Sequence, residues 1–299
     1  MSRQPLVSIV LPTHNGSRYL EQALKSCVDQ TYPNWELIVV DDASTDRTPR
    51  ILAHFVKADS RIRSIRHEQN RKLPAALNSG FELAKGEYLT WTSDDNLYRP
   101  RAIERMVAYL ERRPQISLVY TDYSVIDDAG NVTTQEKVAP PDLLTSCNPV
   151  GACFMYRREV YEELGGYATD LFLAEDYEFW VRVSCAFKME PLHEDLYLYR
   201  RHDSSLSARH SQDVRMAHER VLLRHLGRMS WAGRKARWRG HMALLQLASP
   251  RRDRRAAIAH AYSALMCDPL ATAWHLIRPF VPKSARRFCA TLRGRGGSP

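Results

Sequence analysis

Three pairs of adjacent carboxylates stand out in the chain: Asp41-Asp42, Asp94-Asp95 and Glu175-Asp176. Two like charges side by side repel unless a cation or hydrogen-bond donors neutralise them. Hard divalent ions such as Mg²⁺ or Mn²⁺ take oxygen ligands and are commonly held by one or two carboxylates together with substrate phosphates. Asp94-Asp95 is therefore a candidate metal-diphosphate site. Each pair also has a plainer reading, as solvated loop residues, a helix cap or an acidic first turn favoured by the helix dipole. Position decides between these roles.

The hydrophobic pattern supplies the positions. Strand-like runs at 6–12, which is nearly continuously apolar, 35–40, 61–67 and 87–91 alternate with segments of helical period, the pattern of a mostly parallel sheet covered by helices on both faces. The first helix is expected to start near Ser17, with Leu20, Ala23, Leu24, Cys27 and Val28 on one face. In such sheets ligands bind outside the carboxyl ends of the strands. Asp41-Asp42 follow the second run and Asp94-Asp95 the fourth, while Glu175-Asp176 open a later helix over 175–184. Between these lie a helix through Ile103, Met106, Val107 and Leu110, strands at 116–127 and 152–158, and a helix stop at Gly165-Gly166. A strand at 195–202 follows, and from about residue 210 the period is helical throughout, with an αα-hairpin broken near Ser249-Pro250.

At 299 residues and 44% hydrophobic content, the chain can bury one large core with an appendage. Its charge is unevenly spread. Residues 1–208 hold 24 Lys and Arg against 30 Asp and Glu (−6), and residues 209–299 hold 19 against 4 (+15), which together make the net +9. The expected division is a body over 1–208 and a basic helical region over 209–299. The N-terminus carries no signal-peptide pattern, and no apolar window reaches the ~18 residues of a spanning helix. A cytoplasmic protein is expected. The six cysteines show no CxxC pair, which makes core packing their expected role.

Three stretches carry a family resemblance: "VSIVLPTHNGSRYLEQALKSCVDQTYPNWELIVVDDASTD", "NRKLPAALNSGFELAKGEYLTWTSDDN" and "AEDYEFWVRV". In this order and spacing they resemble glycosyltransferase family 2, inverting enzymes with the GT-A fold, over roughly residues 6–205. The resemblance implies an α/β, Rossmann-like, mostly parallel sheet with a basic α-helical C-terminal extension. It implies transfer of a sugar from a nucleoside-diphosphate sugar to a hydroxyl of a saccharide or lipid-linked acceptor, in cell-surface polysaccharide or glycoconjugate synthesis. UDP is the favoured nucleotide, with GDP and dTDP open.

Residue roles follow from the same resemblance. Pro12, Thr13 and Asn15 belong to the turn that holds the nucleotide. Asp42 reads the edge of the base, with Asp41 the neighbouring alternative. Asp94 is placed for the ribose and Asp95 for the metal, Mn²⁺ or Mg²⁺, although Ser93 stands where the family often has its first Asp. Lys72 replaces a family glycine and can bring positive charge to the donor, as can Arg71. Asp176 is the general base with Glu175 as orienting partner. Arg200 and Arg201 resemble diphosphate-binding residues, and His202 a metal ligand.

The tail adds Trp231, Arg234, Lys235, Arg237, Trp238 and Arg239, with a second basic cluster over 249–265. Basic amphipathic helices with tryptophans suit an anionic membrane surface, which would place the enzyme peripherally at the inner face of the membrane. A solvated helical cap is the alternative. No nucleic-acid motif accompanies the charge. A second class of function also fits the residues: an inactive nucleotide-sugar-binding adaptor that uses the tail to reach a membrane or partner.

Overall fold

The computed structural model describes residues 4–248 and 254–277. Four strands of the first half, β1 (Val7–Thr13), β2 (Trp35–Asp41), β3 (Ile62–Arg66) and β4 (Tyr88–Trp91), pair in parallel in the order β3-β2-β1-β4. Every residue of β1 is buried, because helices cover both faces of the strand. On one face Val7, Ile9 and Leu11 pack with Leu20, Ala23, Leu24 and Cys27 of α1 (Leu20–Val28) in the main hydrophobic core. Leu52 of α2 (Thr48–Ala58) belongs to the same core. On the opposite face β1 meets α3 (Leu73–Leu83). There Gly80 lies so close that a Cβ on it would stand 2.4 Å from Val10 Cγ1.

The first helix starts at Leu20 and not near Ser17. Residues 16–19 instead form a turn, in which the Ser17 N–H donates to Asp46 Oδ2 at 3.0 Å and the Gly16 carbonyl accepts from Tyr19 and Leu20. Register then aligns the strand ends. Thr13 pairs with Asp41, Asp41 with Arg66, and Val10 with Trp91.

The second half of the sheet is mixed. After β5 (Leu97–Tyr98) and α4 (Ala102–Arg112), whose Ile103, Met106 and Leu110 join the core, come β6 (Leu118–Ile126), β7 (Val132–Glu136) and β8 (Phe154–Arg157). α5 (Arg158–Leu164) ends at Gly165, with φ +76°. α6 (Glu175–Ala186) and β9 (Met189–Arg200) follow, and the order continues β4-β8-β6-β9-β5 with β7 on β6. β6 and β9 are parallel, and the other pairings here are antiparallel. β9 ends at Arg200, which leaves His202 in the following loop.

The chain divides into two compact units after Met229, beyond the expected limit at residue 208. The first unit keeps α7 (Leu206–Arg209) and α8 (Ser211–His225), because α8 lies on α6: the His218 ring is 4.8 Å from that of Tyr177, and Arg224 pairs with Asp170. The second unit contains α9 (Arg234–Ala248), α10 (Arg254–Cys267) and α11 (Pro269–Ile277). Within it the Trp238 indole N–H donates to Thr272 Oγ1 at 2.9 Å, and Arg234 Nε donates to the Cys267 carbonyl at 3.1 Å. The break expected at Ser249-Pro250, and Cys289, lie outside the described residues. Cys27 and Cys153 are core residues as expected, whereas Cys147 and Cys185 are exposed. Among the described residues no helix is long and apolar enough to cross a membrane.

Candidate active site

The carboxyl ends of β1, β2 and β4 form one cluster. Thr13 Oγ1 donates to Asp94 Oδ2 at 2.5 Å, which joins the end of β1 to the loop after β4. A Cβ on Gly16 would stand 1.9 Å from the same Asp94 oxygen, so only glycine permits this approach. Burial, with the neighbouring Asp95 second, pushes the Asp94 carboxyl up to about 7. Pro12 pairs with Val40 one residue before the turn.

Asp41 and Asp42 have separate duties. Asp41 Oδ1 accepts from the Ser44 N–H at 2.8 Å and Oδ2 pairs with Arg66, so this carboxylate closes its own turn. Asp42 holds the 70–72 loop: Oδ1 accepts from the Arg71 N–H at 2.8 Å and lies 2.7 Å from His67 Nδ1, and Oδ2 accepts from the Lys72 N–H at 2.9 Å. An ionised carboxylate has about four acceptor sites. Oδ2 therefore keeps capacity for one more donor. Asn15, at φ +57°, staples the turn after β1 to the next loop, its Oδ1 accepting from the Thr45 N–H at 2.8 Å.

Asp95 and His202 meet with Oδ2 and Nε2 3.0 Å apart, while His202 Nδ1 lies 2.6 Å from Ser204 Oγ. Asp95 Oδ1 is buried without a hydrogen-bond partner. An orphaned carboxylate oxygen beside an imidazole that Ser204 orients is a donor set that fits a hard divalent cation. Among the described residues no three His, Cys, Asp or Glu side chains gather as a complete protein cage. Asp95 and His202 therefore supply two ligands at most, and phosphate and water oxygens would have to complete the shell.

Arg200 is not free to clamp a diphosphate. It is 1% exposed, and its guanidinium donates to the carbonyls of Asp95, Asp127 and Asp128 and to Gln22 Oε1. It braces the backbone that carries Asp95. Arg201, Arg71 and Lys72 are exposed, and Lys72 Nζ lies 5.9 Å from the centre of the Phe172 ring.

Glu175 and Asp176 open α6. Asp176 Oδ2 accepts from Asn148 Nδ2 at 2.9 Å, and Oδ1 accepts from the Tyr177 N–H at 2.6 Å. Burial, with Asp176 second, pushes Glu175 up to about 8. The pair is connected to the strand ends. The Trp91 indole N–H of β4 donates to Tyr167 Oη at 3.0 Å, and the Asp176 carboxylate acts on that hydroxyl through space. Asn78 of α3 fixes Tyr167 by both its backbone groups, at 2.7 and 2.9 Å. Gly16, His67, Asn148 and His218 carry no motif of their own and were not anticipated as site residues. Glycine in the tight turn after β1 is the one signal that pointed towards any of them.

A mixed α/β sheet with acidic loops at its strand ends and a carboxylate pair opening a later helix is the arrangement of a GT-A type transferase. Known proteins agree. The model of Glycosyl transferase family 2 matches residues 8–165. EpsE of Bacillus subtilis (strain 168), which bears the name of a glycosyltransferase, is 32% identical over 216 residues, covering 70% of this chain and 78% of that one. The chain belongs to glycosyltransferase family 2, and it is a glycosyltransferase. Two solved structures share the fold: Staphylococcus aureus TarS 1–349 in complex with UDP, and the mannosyltransferase PcManGT of Pyrobaculum calidifontis in complex with GDP-Man and Mn²⁺. TarS has a TM-score of 0.63 and 15% identity, covering 89% of this chain and 82% of its own. PcManGT has a TM-score of 0.61 and 21% identity, covering 96% and 84%.

Proposed function

We propose that the chain transfers a sugar, with inversion, from a nucleoside-diphosphate sugar to a hydroxyl of a saccharide or lipid-linked acceptor, with UDP as the favoured nucleotide. The observation that carries this reading is the buried, unpartnered Asp95 Oδ1 beside His202, at the strand ends where Thr13 holds Asp94. Asp95 and His202 would hold Mn²⁺ or Mg²⁺, and what such an ion supplies is neutralisation of the diphosphate charge. The spare capacity of Asp42 Oδ2 suits the ring N–H of a uracil, and the Thr13–Asp94 pair suits the ribose. Pro12 and Asn15 shape the turn around them. With Arg200 committed to backbone carbonyls, the cations left for the diphosphate are Lys72, Arg71 and Arg201. The UDP in TarS and the GDP-Man with Mn²⁺ in PcManGT support a nucleotide-sugar donor and a metal.

In the transfer the acceptor oxygen bonds to the anomeric carbon while the bond from that carbon to the diphosphate oxygen breaks. Asp176 takes the hydroxyl proton, and the leaving diphosphate keeps the bonding electron pair. Glu175 orients the pair. The role in cell-surface polysaccharide or glycoconjugate synthesis is carried over from the family, and placement at the inner face of the membrane rests on the basic C-terminal helices. The exposed apolar residues of the second unit support the membrane placement, as argued below.

Calorimetric titration of UDP, GDP and dTDP, with Mn²⁺ and with chelator, tests the reading. We expect one nucleotide to bind with metal and to lose most of its affinity in chelator. Asp95→Ala, with fold retained, is expected to lose that metal dependence together with donor hydrolysis and transfer. Full activity in this variant would sink the metal assignment, and donor binding with no product across a broad acceptor panel would favour the adaptor.

A further inference from the structure

Glu175 and Asp176 are neighbours in the chain with unlike surroundings. Both oxygens of Asp176 accept hydrogen bonds, from Asn148 Nδ2 at 2.9 Å and from the Tyr177 N–H at 2.6 Å. Asn148 is itself held in place. Its Oδ1 accepts from the Val150 N–H at 3.2 Å, and its segment is tied to α6 by Tyr177 Oη, which donates to the Leu144 carbonyl at 2.6 Å. Glu175, in contrast, is 4% exposed and has a buried Oε2 with no hydrogen-bond partner. Two carboxyls buried side by side do not both ionise readily, and hydrogen-bond donors favour the charged member.

We propose that Asn148 is a positioning residue that decides which carboxyl carries the pair's proton: its amide keeps Asp176 ionised and ready to accept, and leaves the proton on Glu175. This rests on the reading of Asp176 as the proton acceptor in sugar transfer. Groups from three elements face Asp176. Glu175 adjoins it on α6. His218 approaches from α8, its ring against Tyr177 and its own basicity lowered by burial. Tyr167 approaches from the loop after α5, its hydroxyl raised by burial, with a contribution from Asp176. Burial raises Asp176 as well, opposed by His218, the Tyr177 N–H and Asn148. Asn148 and the Tyr177 N–H are the neutral members of that opposition, so unlike His218 they keep their effect wherever Asp176 is ionised, and Asn148 is the one of the two that substitution can remove.

The test is carbon-13 NMR of the side-chain carboxyls in the full-length chain, titrated downwards from alkaline pH and assigned through Asp176→Asn and Glu175→Gln. In the native chain Glu175 is expected to take up its proton first. In Asn148→Ala the midpoint of Asp176 should rise by about one unit, roughly a tenfold gain in proton affinity, so that Asp176 competes for the first proton. Asn148→Ser guards against a collapsed loop, because its hydroxyl can still accept from Val150 but falls short of Asp176. The same change is expected there. An unmoved order and midpoint in both folded variants would overturn the proposal. The underlying reading fails separately, on undiminished transfer by Asp176→Asn, whatever the titration shows.

Discussion

Lys72 has φ +72° and ψ 163°, a region essentially reserved for glycine, where another residue costs about 1–3 kcal/mol. The conformation is held by the site itself, since the Lys72 N–H donates both to Asp42 Oδ2 and to Asn70 Oδ1. Stability and function should therefore separate at this residue. Lys72→Gly is expected to relieve the strain, less about 0.5–1 kcal/mol for the added freedom of the unfolded chain, and to raise Tm by a few degrees. The same variant should bind the nucleotide sugar more weakly, because it removes one of the three exposed cations available to the diphosphate. A melting scan beside a donor titration checks this, and a rise in Tm with undiminished donor affinity would remove Lys72 from the site. The acidic members of the site were legible at this scale because loops at strand ends are short and local. Their partners were not: His67 and Asn148 reach Asp42 and Asp176 from 25 and 28 residues away. Arg200 shows the converse limit, since a motif gives a residue type and not the direction of its guanidinium.

Among the elements, α3 connects both halves of the site. Its first turn follows the loop held by Asp42, its middle lies against β1 and β2 at Gly80, and its Asn78 clasps Tyr167 beside Asp176. A methyl at residue 80 would also come within 3.2 Å of Val40 Cγ2. Gly80→Ala should force the helix off the sheet, cost about 1–3 kcal/mol as overpacking and lower the urea midpoint with little change in slope. Weaker donor binding should accompany it, because the Arg71 and Lys72 amides move with the helix. An unchanged midpoint would show that the sheet yields instead. β1, β2 and β4 were readable as apolar runs because they are buried on both faces, and the edge strand β3, IRSIR, by its alternation. The two-residue β5 and the early start of β9 were not, because their pairing depends on partners far along the chain.

The whole molecule combines an acidic body with a basic end. Ile258, Tyr262, Leu265 and Met266 recur at helical spacing on α10, with Ile258 69% and Met266 64% exposed, and Leu270 of α11 is 80% exposed. Trp238 does not join them, since its indole is engaged with Thr272. Apolar residues on a strongly basic unit suit an anionic bilayer surface, so the chain should co-sediment with vesicles rich in anionic lipid and release at high salt. Ile258→Glu with Met266→Glu should abolish that binding and leave nucleotide affinity unchanged. Equal binding to neutral vesicles, or an unaffected double variant, would assign this surface another partner.

The sequence by itself determined the family, the parallel half of the sheet and the acidic residues at the strand ends, because short-range periodicity and local motifs encode them. The tertiary structure alone decided that Arg200 is a brace, that Asp41 closes a turn while Asp42 holds a loop, and that α8 belongs with the first compact unit. Those outcomes depend on which side chains meet across the fold, and residues that meet there are far apart in the chain, where local periodicity and motifs do not reach.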